Sequence, residues 1–511
     1  MKKQINRKAF LHQMAVLSGG VGIGLTGVTG KAFGQIPAAH AANVQAGKVL
    51  VIIQLGGGND GLNTVIPAED DIYHAGRPTI SIKKEVALKL DQGMYLHPSA
   101  VGIKRLYDKG QVSIAQNIGY PNPNRSHFRA TDIWNTGSDA NTLWDEGWAG
   151  RFLRTRYPEF PVSYAKHPMA VQLGSVESLL FQSDQGGFST VFEDPNLFYQ
   201  LVSGTPSDTD IPPATLAGEE LGFLKQIAAA SVQYAGVIRD GANKGKNSVT
   251  YPSTNLGRQF GIVSKLISGG LETPVYLLNI GGFDTHANQL TQHANLWKTI
   301  SDAVTTFQLD MDNQNLSDRI SIMTFSEFGR RVKQNGTAGT DHGTAAPMFF
   351  IGKTVRGGLI GANPNLKVLD SNGDMKFNFD YRQVYSTVLR DHLGLDNVRT
   401  QTIFQSTFER LPIYKNSTEV LPDAAKMELM VPWPNPARGT TLLQYGVFEE
   451  ATISLALFDL QGRELKIIDA GLRKVGSYSA RIDLQSYASG HYLISLSSNR
   501  AERITHQLVI E

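Results

Sequence analysis

The chain is punctuated by short apolar runs, each closed by a loop that carries glycine, a carboxylate or histidine. Val49–Leu55 is almost continuously apolar and ends in Gly56-Gly57-Gly58. Val112–Gln116, Val275–Ile280, Ile320–Phe325 and Met348–Ile351 repeat the pattern. Runs this short, without polar alternation, read as strands buried on both faces. Between them, His127–Asn135, Leu221–Arg239, Leu256–Ile267, Ala287–Leu309 and Tyr381–Leu393 read as helices. Strands alternating with helices predict an α/β domain with a mostly parallel sheet covered on both faces, and chemistry at the carboxyl ends of its strands.

The pattern changes near Thr418–Pro422. Beyond it, Thr440–Tyr445, Thr452–Asp459, Ser477–Ile482 and His491–Ser497 alternate and are parted by Gly462, Gly476 and Gly490. Residues 425–511 therefore predict a small antiparallel β-sandwich without a cluster of titratable groups. At the other end, Lys2, Lys3, Arg7 and Lys8 precede an apolar, Gly-rich run, and Ala32 and Gly34 supply small residues before Gln35. Residues 1–34 predict an export signal. Asn6-Arg7-Lys8-Ala9-Phe10-Leu11 resembles a twin-arginine signal with Lys8 in place of the second Arg. No later stretch reaches the ~18 apolar residues of a membrane span. Without the five basic residues of 1–34, the chain's 48 Lys and Arg become 43 against 46 Asp and Glu, a net of −3. That balance gives no electrostatic case for nucleic acid as a partner. The chain has no Cys, which excludes disulfides, thiolate metal sites and a thiol nucleophile.

Five loops carry the chemistry. Gly56-Gly57-Gly58-Asn59-Asp60-Gly61 formally matches a dinucleotide fingerprint. However, Gly61-Leu62-Asn63-Thr64-Val65-Ile66-Pro67 is a poor helix start, so Asp60 reads instead as a strand-end carboxylate that glycines let a metal approach. Asn124-Arg125-Ser126-His127-Phe128 places Ser126 at a helix start, either as an N-cap or as a nucleophilic hydroxyl favoured by the helix dipole and a metal. Arg125 or Arg129 would then hold an anionic substrate group. Phe283-Asp284-Thr285-His286 puts Asp and His on one loop, a pairing suited to zinc or manganese; the competing reading is a helix cap. His293, seven residues past His286, reads either as a partner behind the ligands or, preferred, as a helix-surface residue. In Ser326-Glu327-Phe328-Gly329-Arg330-Arg331, an unpaired Glu327 at an apolar strand end is costly without a cation, which a metal, Arg330 or Arg331 would supply. In Thr340-Asp341-His342, Asp341 either binds metal or orients the imidazole. All these loops lie at or near strand ends, and together they predict a shared metal centre.

These motifs, with Leu96-His97-Pro98 and Asp380-Tyr381-Arg382-Gln383-Val384-Tyr385, resemble the bacterial domain-of-unknown-function family 1501, over about residues 48–400. That family is placed in the alkaline phosphatase-like superfamily. The resemblance implies a three-layer α/β/α fold over 35–420 and one or two divalent ions, zinc or manganese. It implies Asp60, Ser126 and Glu327 around one ion and Asp284, His286 and His342 around the other, with Asp341 as a further ligand. Ser126 would be the nucleophile, with Arg125 and Arg330 assisting, on a small-molecule or polymer phosphate or sulfate ester. The absence of Cys and the Ser126-His127-Phe128-Arg129 sequence depart from the sulfatase formylglycine motif. Pro434-Asn435-Pro436-Ala437, Leu457-Phe458-Asp459-Leu460-Gln461-Gly462-Arg463 and Ser489-Gly490-His491-Tyr492 resemble the type A sorting domain of the type IX secretion system. That resemblance implies a Bacteroidota-type host and passage through the periplasm to the cell surface or beyond.

Overall fold

The computed structural model describes residues 47–161, 163–203, 231–417, 427–429, 432, 434–447, 450–474, 476–499 and 503–511. The expected export signal, the Thr418–Pro422 transition and the first half of the Leu221–Arg239 helix lie outside them. The chain divides into two compact units, Met1–Val420 and Leu421–Glu511.

In the first unit, the strands that position the site are β1 (Val49–Leu55), β2 (Val112–Gly119), β3 (Ala170–Leu173), β4 (Ser189–Phe192), β5 (Val275–Ile280), β6 (Ile320–Phe325), β7 (Ala346–Ile351), β8 (Gly358–Ile360) and β9 (Phe379–Asp380). The helices that matter are α1 (His127–Thr136), α2 (Asn255–Ser268), α3 (Gln289–Asn313) and α4 (Tyr381–Thr387). Among the described residues the main sheet has nine strands, in the order β8-β2-β7-β6-β1-β5-β3-β4, with β9 also on β2. It is the mostly parallel sheet expected, with one departure: β7 runs antiparallel to both β6 and β2.

The centre explains itself from composition. β1 lies between β5 and β6, parallel to both, with Leu50 opposite Val275 and Ser321. Helices cover this sheet, so β1 is apolar on both faces and Val49–Ile53 are all buried. α3 turns Trp297, Ile300, Val304, Phe307 and Met311 inward at three- and four-residue spacing. α2 starts at Thr254, whose hydroxyl accepts the Gly257 N–H. α4 starts at a capping box made by Asp380 and Gln383.

Three adjacent parallel strands deliver their following loops to one edge, and backbone bonds lace the loops together. Gly56 N–H donates to Ile280 O (2.9 Å) and Phe283 N–H to Gly56 O (3.1 Å). Gly57 N–H donates to Glu327 Oε1 (2.8 Å), and Asn59 N–H to Ser326 Oγ (2.9 Å). A Cβ on Gly57 would lie 2.4 Å from the Asp284 nitrogen, and φ there is +118°. Glycine is what lets these loops touch. The stretch that formally matches a dinucleotide fingerprint opens only the 3-10 turn Gly61–Asn63, not the helix that motif requires.

The second unit contains β10 (Met427–Leu429), β11 (Thr440–Val447), β12 (Ala451–Phe458), β13 (Glu464–Arg473), β14 (Gly476–Asp483), β15 (Gly490–Ser498) and β16 (Arg503–Ile510). They form two antiparallel sheets, β10-β11-β14 and β13-β12-β15-β16. Leu443, Tyr445, Leu455, Leu457, Ile494 and Leu508 belong to one buried cluster there.

Candidate metal centre

The loop after β5, the loop before β7 and the first turn of α1 meet at Asp284. His286 Nε2 lies 3.0 Å and His342 Nε2 3.2 Å from Asp284 Oδ1, and His127 Nε2 lies 3.5 Å from Asp284 Oδ2. The Nε2 atoms of His286 and His342 are 3.0 Å apart.

The opposite nitrogen of each ring also has an oxygen partner. His286 Nδ1 faces Asp341 Oδ1 (3.2 Å), His342 Nδ1 faces the Arg125 carbonyl (2.8 Å), and His127 Nδ1 faces Glu327 Oε1 (2.8 Å). Both nitrogens of each ring thus face an oxygen acceptor; with the Nδ1 protons given to these outer oxygens, each Nε2 would offer its lone pair to a cation at Asp284. Three Nε2 atoms face an ionised carboxylate. Burial would raise Asp284, but the Arg330 hydrogen bond and charge outweigh it and hold the carboxyl at about 2. Burial pushes His342 below the usual imidazole range, which keeps that ring neutral.

Acceptors gathered this closely repel one another unless a cation sits among them. Ligand atoms about 2.0–2.2 Å from zinc stand roughly 3.3 Å apart at tetrahedral corners, close to the spacings here. His127, Asp284 and His342 offer donor atoms within 4.8 Å of one another. The residues present therefore fit a divalent cation, with Asp341, Glu327 and the Arg125 carbonyl orienting the rings from behind.

Not every expected residue joins this group. Asp60 is fully buried, with Oδ2 bound by Arg77 Nη1 (2.6 Å) and by the Gln289 amide. Burial would raise its carboxyl, but the Arg77 charge and hydrogen bond prevail and lower it. Oδ1 has no hydrogen-bond partner, but Asp60 is not among the donors grouped at Asp284. Glu327 accepts from His127 and Gly57, so it orients a histidine instead of standing in the donor group. Asp341 is likewise a partner of His286, and the Asn335 amide, which donates to it, lowers its carboxyl. Among the described residues the donors therefore form one cluster, not the two suggested by the pairing of Asp60 with Glu327.

Neither expected arginine is free for an anion. Arg330 has no side-chain exposure; its guanidinium donates to Gly58 O (2.7 Å), Thr340 O (2.7 Å), Phe283 O (3.0 Å), Gly57 O and Asp284. It clamps the loops. Arg125 pairs with Asp374, with Asp370 3.7 Å away. Arg129 donates to the carbonyls of Ala140 and Thr142. His293 is not on the helix surface: it is buried, with Nε2 3.1 Å from Asn59 Oδ1 and its ring edge-on to His97.

Ser126 is exposed and is the N-cap of α1, yet its side chain makes no capping bond. It stands between Arg125, whose carbonyl holds His342, and His127. The hydroxyl thus lacks the partner that a purely capping role would give it. His127 is the residue that sequence reasoning missed. It was visible beside Ser126, but its assignment depends on Glu327, 200 residues away.

Sequence comparison finds two matching family models, one of them over part of this cluster. Residues 265–407 match the model of a protein of unknown function, DUF1501. The DUF1501 match takes in Asp284, His286, Glu327, Asp341 and His342 and leaves out Asp60, Ser126 and His127. Residues 432–511 match the model of a secretion system C-terminal sorting domain, which implies recognition by the type IX machinery and export to the cell surface or extracellular space. No curated protein matches the chain in sequence. Similar solved structures include a protein in the alkaline phosphatase superfamily from Vibrio parahaemolyticus, at 10% identity over 91% of each chain with a TM-score of 0.36. A sulfatase from a Pseudoalteromonas species is 11% identical over 86% of this chain and 85% of its own, with a TM-score of 0.34. An immunoglobulin-like β-sandwich protein from Bacteroides vulgatus is 15% identical over 17% of this chain and 96% of its own, with a TM-score of 0.12. Among the described residues no helix is long and apolar enough to cross a membrane.

Proposed function

We propose that the chain is an exported, metal-dependent hydrolase of phosphate esters, or of the related sulfate esters. The observation that carries this reading is the convergence of three histidine Nε2 atoms on Asp284. His127, Asp284, His286 and His342 would hold the ion; three imidazoles and one carboxylate suit zinc, with manganese as the alternative. When bound, it would supply Lewis acidity to an ester oxygen. The chain's own residues do the rest. Ser126 Oγ, unbonded at the head of α1, attacks phosphorus or sulfur in line and the alcohol leaves. The peptide N–H groups at the head of α1 face developing negative charge. Water then releases the acid from Ser126.

One observation favours a second reading, a secreted binding protein that keeps the fold. Arg125 and Arg330 are both neutralised by carboxylates, so neither guanidinium is spare for an anionic substrate. Metal content and hydrolysis of aryl phosphate, phosphodiester and sulfate esters decide between them. The protein from Gln35 onward is measured beside Ser126→Ala and Asp284→Ala. Bound zinc, with Asp284→Ala losing the metal and both variants losing activity, supports the hydrolase. Protein that takes up no metal even when it is supplied overturns it.

A further inference from the structure

A second feature lies one helical turn from His127. A cleft of about 260 Å³ opens over the carboxyl ends of β1, β5 and β3, where open α/β sheets bind ligands. Its floor departs from the rule for buried parallel strands. Gln54 and Asn279 lie opposite each other in register on β1 and β5, and Gln172 follows on β3 opposite Leu277. Three neighbouring strands thus present amides on one sheet face where apolar side chains are the norm. The wall is α1, which contributes Thr131, Asp132 and Asn135. Residues 127, 131 and 135 recur every four positions and share one face of α1. Thr131 lies about 6 Å along the axis from His127.

The polar groups here lack protein partners. Asn135 is 4% exposed, yet its Oδ1 has no hydrogen bond. Among the described residues, the side chains of Gln54, Asn279, Thr131 and Asp132 make no hydrogen bond or ion pair. Gln172 is different: its amide accepts from Ser178 N (2.9 Å) and so fixes the opposite rim. A buried amide oxygen without a partner has lost its hydration uncompensated, a loss that a bound hydroxyl would recover. No Lys, Arg or His lines the cleft, so it does not suit an anion. A carboxylate and an amide oxygen accept, while the amide nitrogens donate, which is the complement of adjacent hydroxyl groups. The volume is below the roughly 300–1,000 Å³ of sites for drug-sized ligands, which suits one or two rings.

We propose that this cleft binds a neutral sugar ring, with Asn135 and Asp132 accepting from its hydroxyls and Gln54 and Asn279 donating to them. This rests on the hydrolase reading only in making the sugar the alcohol part of the ester; the binding itself does not need catalysis.

The test is saturation-transfer NMR and calorimetry on the full chain, with methyl glycosides of glucose, galactose, mannose, fucose and N-acetylglucosamine and their β-linked disaccharides. The variants are Asn135→Leu and, for its minimal change in shape, Asp132→Asn. At least one sugar binds wild type, and both variants weaken it at least tenfold while metal content is unchanged. No binding by any of these sugars, or equal binding by wild type and both variants, overturns the proposal whatever the hydrolase assays show. Sugar binding without hydrolysis by the metal-loaded protein supports the cleft and defeats the hydrolase reading. Hydrolysis of aryl esters with every sugar silent does the reverse.

Discussion

At the scale of single residues, the centre is a matter of which nitrogen keeps its proton. Asp341, Glu327 and the Arg125 carbonyl each face one Nδ1, and by taking its proton each would leave one Nε2 lone pair for a cation at Asp284. Asp341 is the most accessible of the three, with a side chain about half exposed. Asp341→Ala frees the His286 ring to turn or change tautomer without opening a cavity. Zinc affinity, measured by competition with a chelator, falls about 10–100-fold. The thermal midpoint of the metal-free protein stays where it was. An unchanged affinity would show that His286 does not need its outer carboxylate. The sequence disclosed Asp284, His286 and His342 because Asp-x-His and Asp-His sit in loops directly joined to strands. It did not disclose that Asp60 is claimed by Arg77, only 17 residues on, because that pairing depends on how an irregular segment folds back.

At the scale of elements, β1, β5 and β6 bring three loops to one edge, and two devices keep them there. The first is the close approach at Gly57. Gly57→Ala puts a methyl carbon against the Asp284 backbone in a conformation that L residues rarely adopt. The expected result is a protein with native far-UV circular dichroism that has lost most of its metal. Retention of full metal content would refute the close-contact argument. The second is the Asp60–Arg77 pair. Arg77 also donates to Arg331 O (2.7 Å) and Val332 O (2.8 Å), tying the segment after β6 to the loop after β1. Arg77→Met leaves Asp60 as a buried, uncompensated carboxylate and costs about 3–5 kcal/mol in denaturant unfolding at neutral pH. Adding Asp60→Leu to it recovers part of that loss, because no charge is then left behind; a double variant less stable than Arg77→Met would contradict this account. The strands of the main sheet were legible as apolar runs, but the reversed direction of β7 was not. Composition records burial, and direction depends on the path of the connecting chain. β13 is hard to read for a related reason: all ten of its residues are at least partly exposed, so no apolar face announces it.

At the scale of the whole molecule, the main unit buries imidazoles that have no room for charge. His392 donates to Val49 O (2.9 Å), stacks on Tyr414, and is pushed by burial down to about 4. Burial likewise lowers His97 to about 4 and His293 to about 3. An unfolded chain protonates such rings near pH 6.5. Between that pH and the folded values, the unfolded state binds more protons than the native one, so stability declines as pH falls through this window. The lowered carboxyl of Asp60 acts in the same direction at lower pH. The expected outcome is a metal-free protein whose unfolding free energy is level above about pH 7 and drops progressively from 6.5 to 4. Working without metal keeps proton uptake by the Asp284 cluster from being counted as loss of an ion. His392→Gln retains a donor for Val49 O but cannot titrate. Its curve is shallower than wild type by up to about 1.4 kcal/mol per pH unit in that window, the worth of one proton. Parallel curves for the two proteins would mean that His392 is protonated in the folded state, against its buried position stacked on Tyr414.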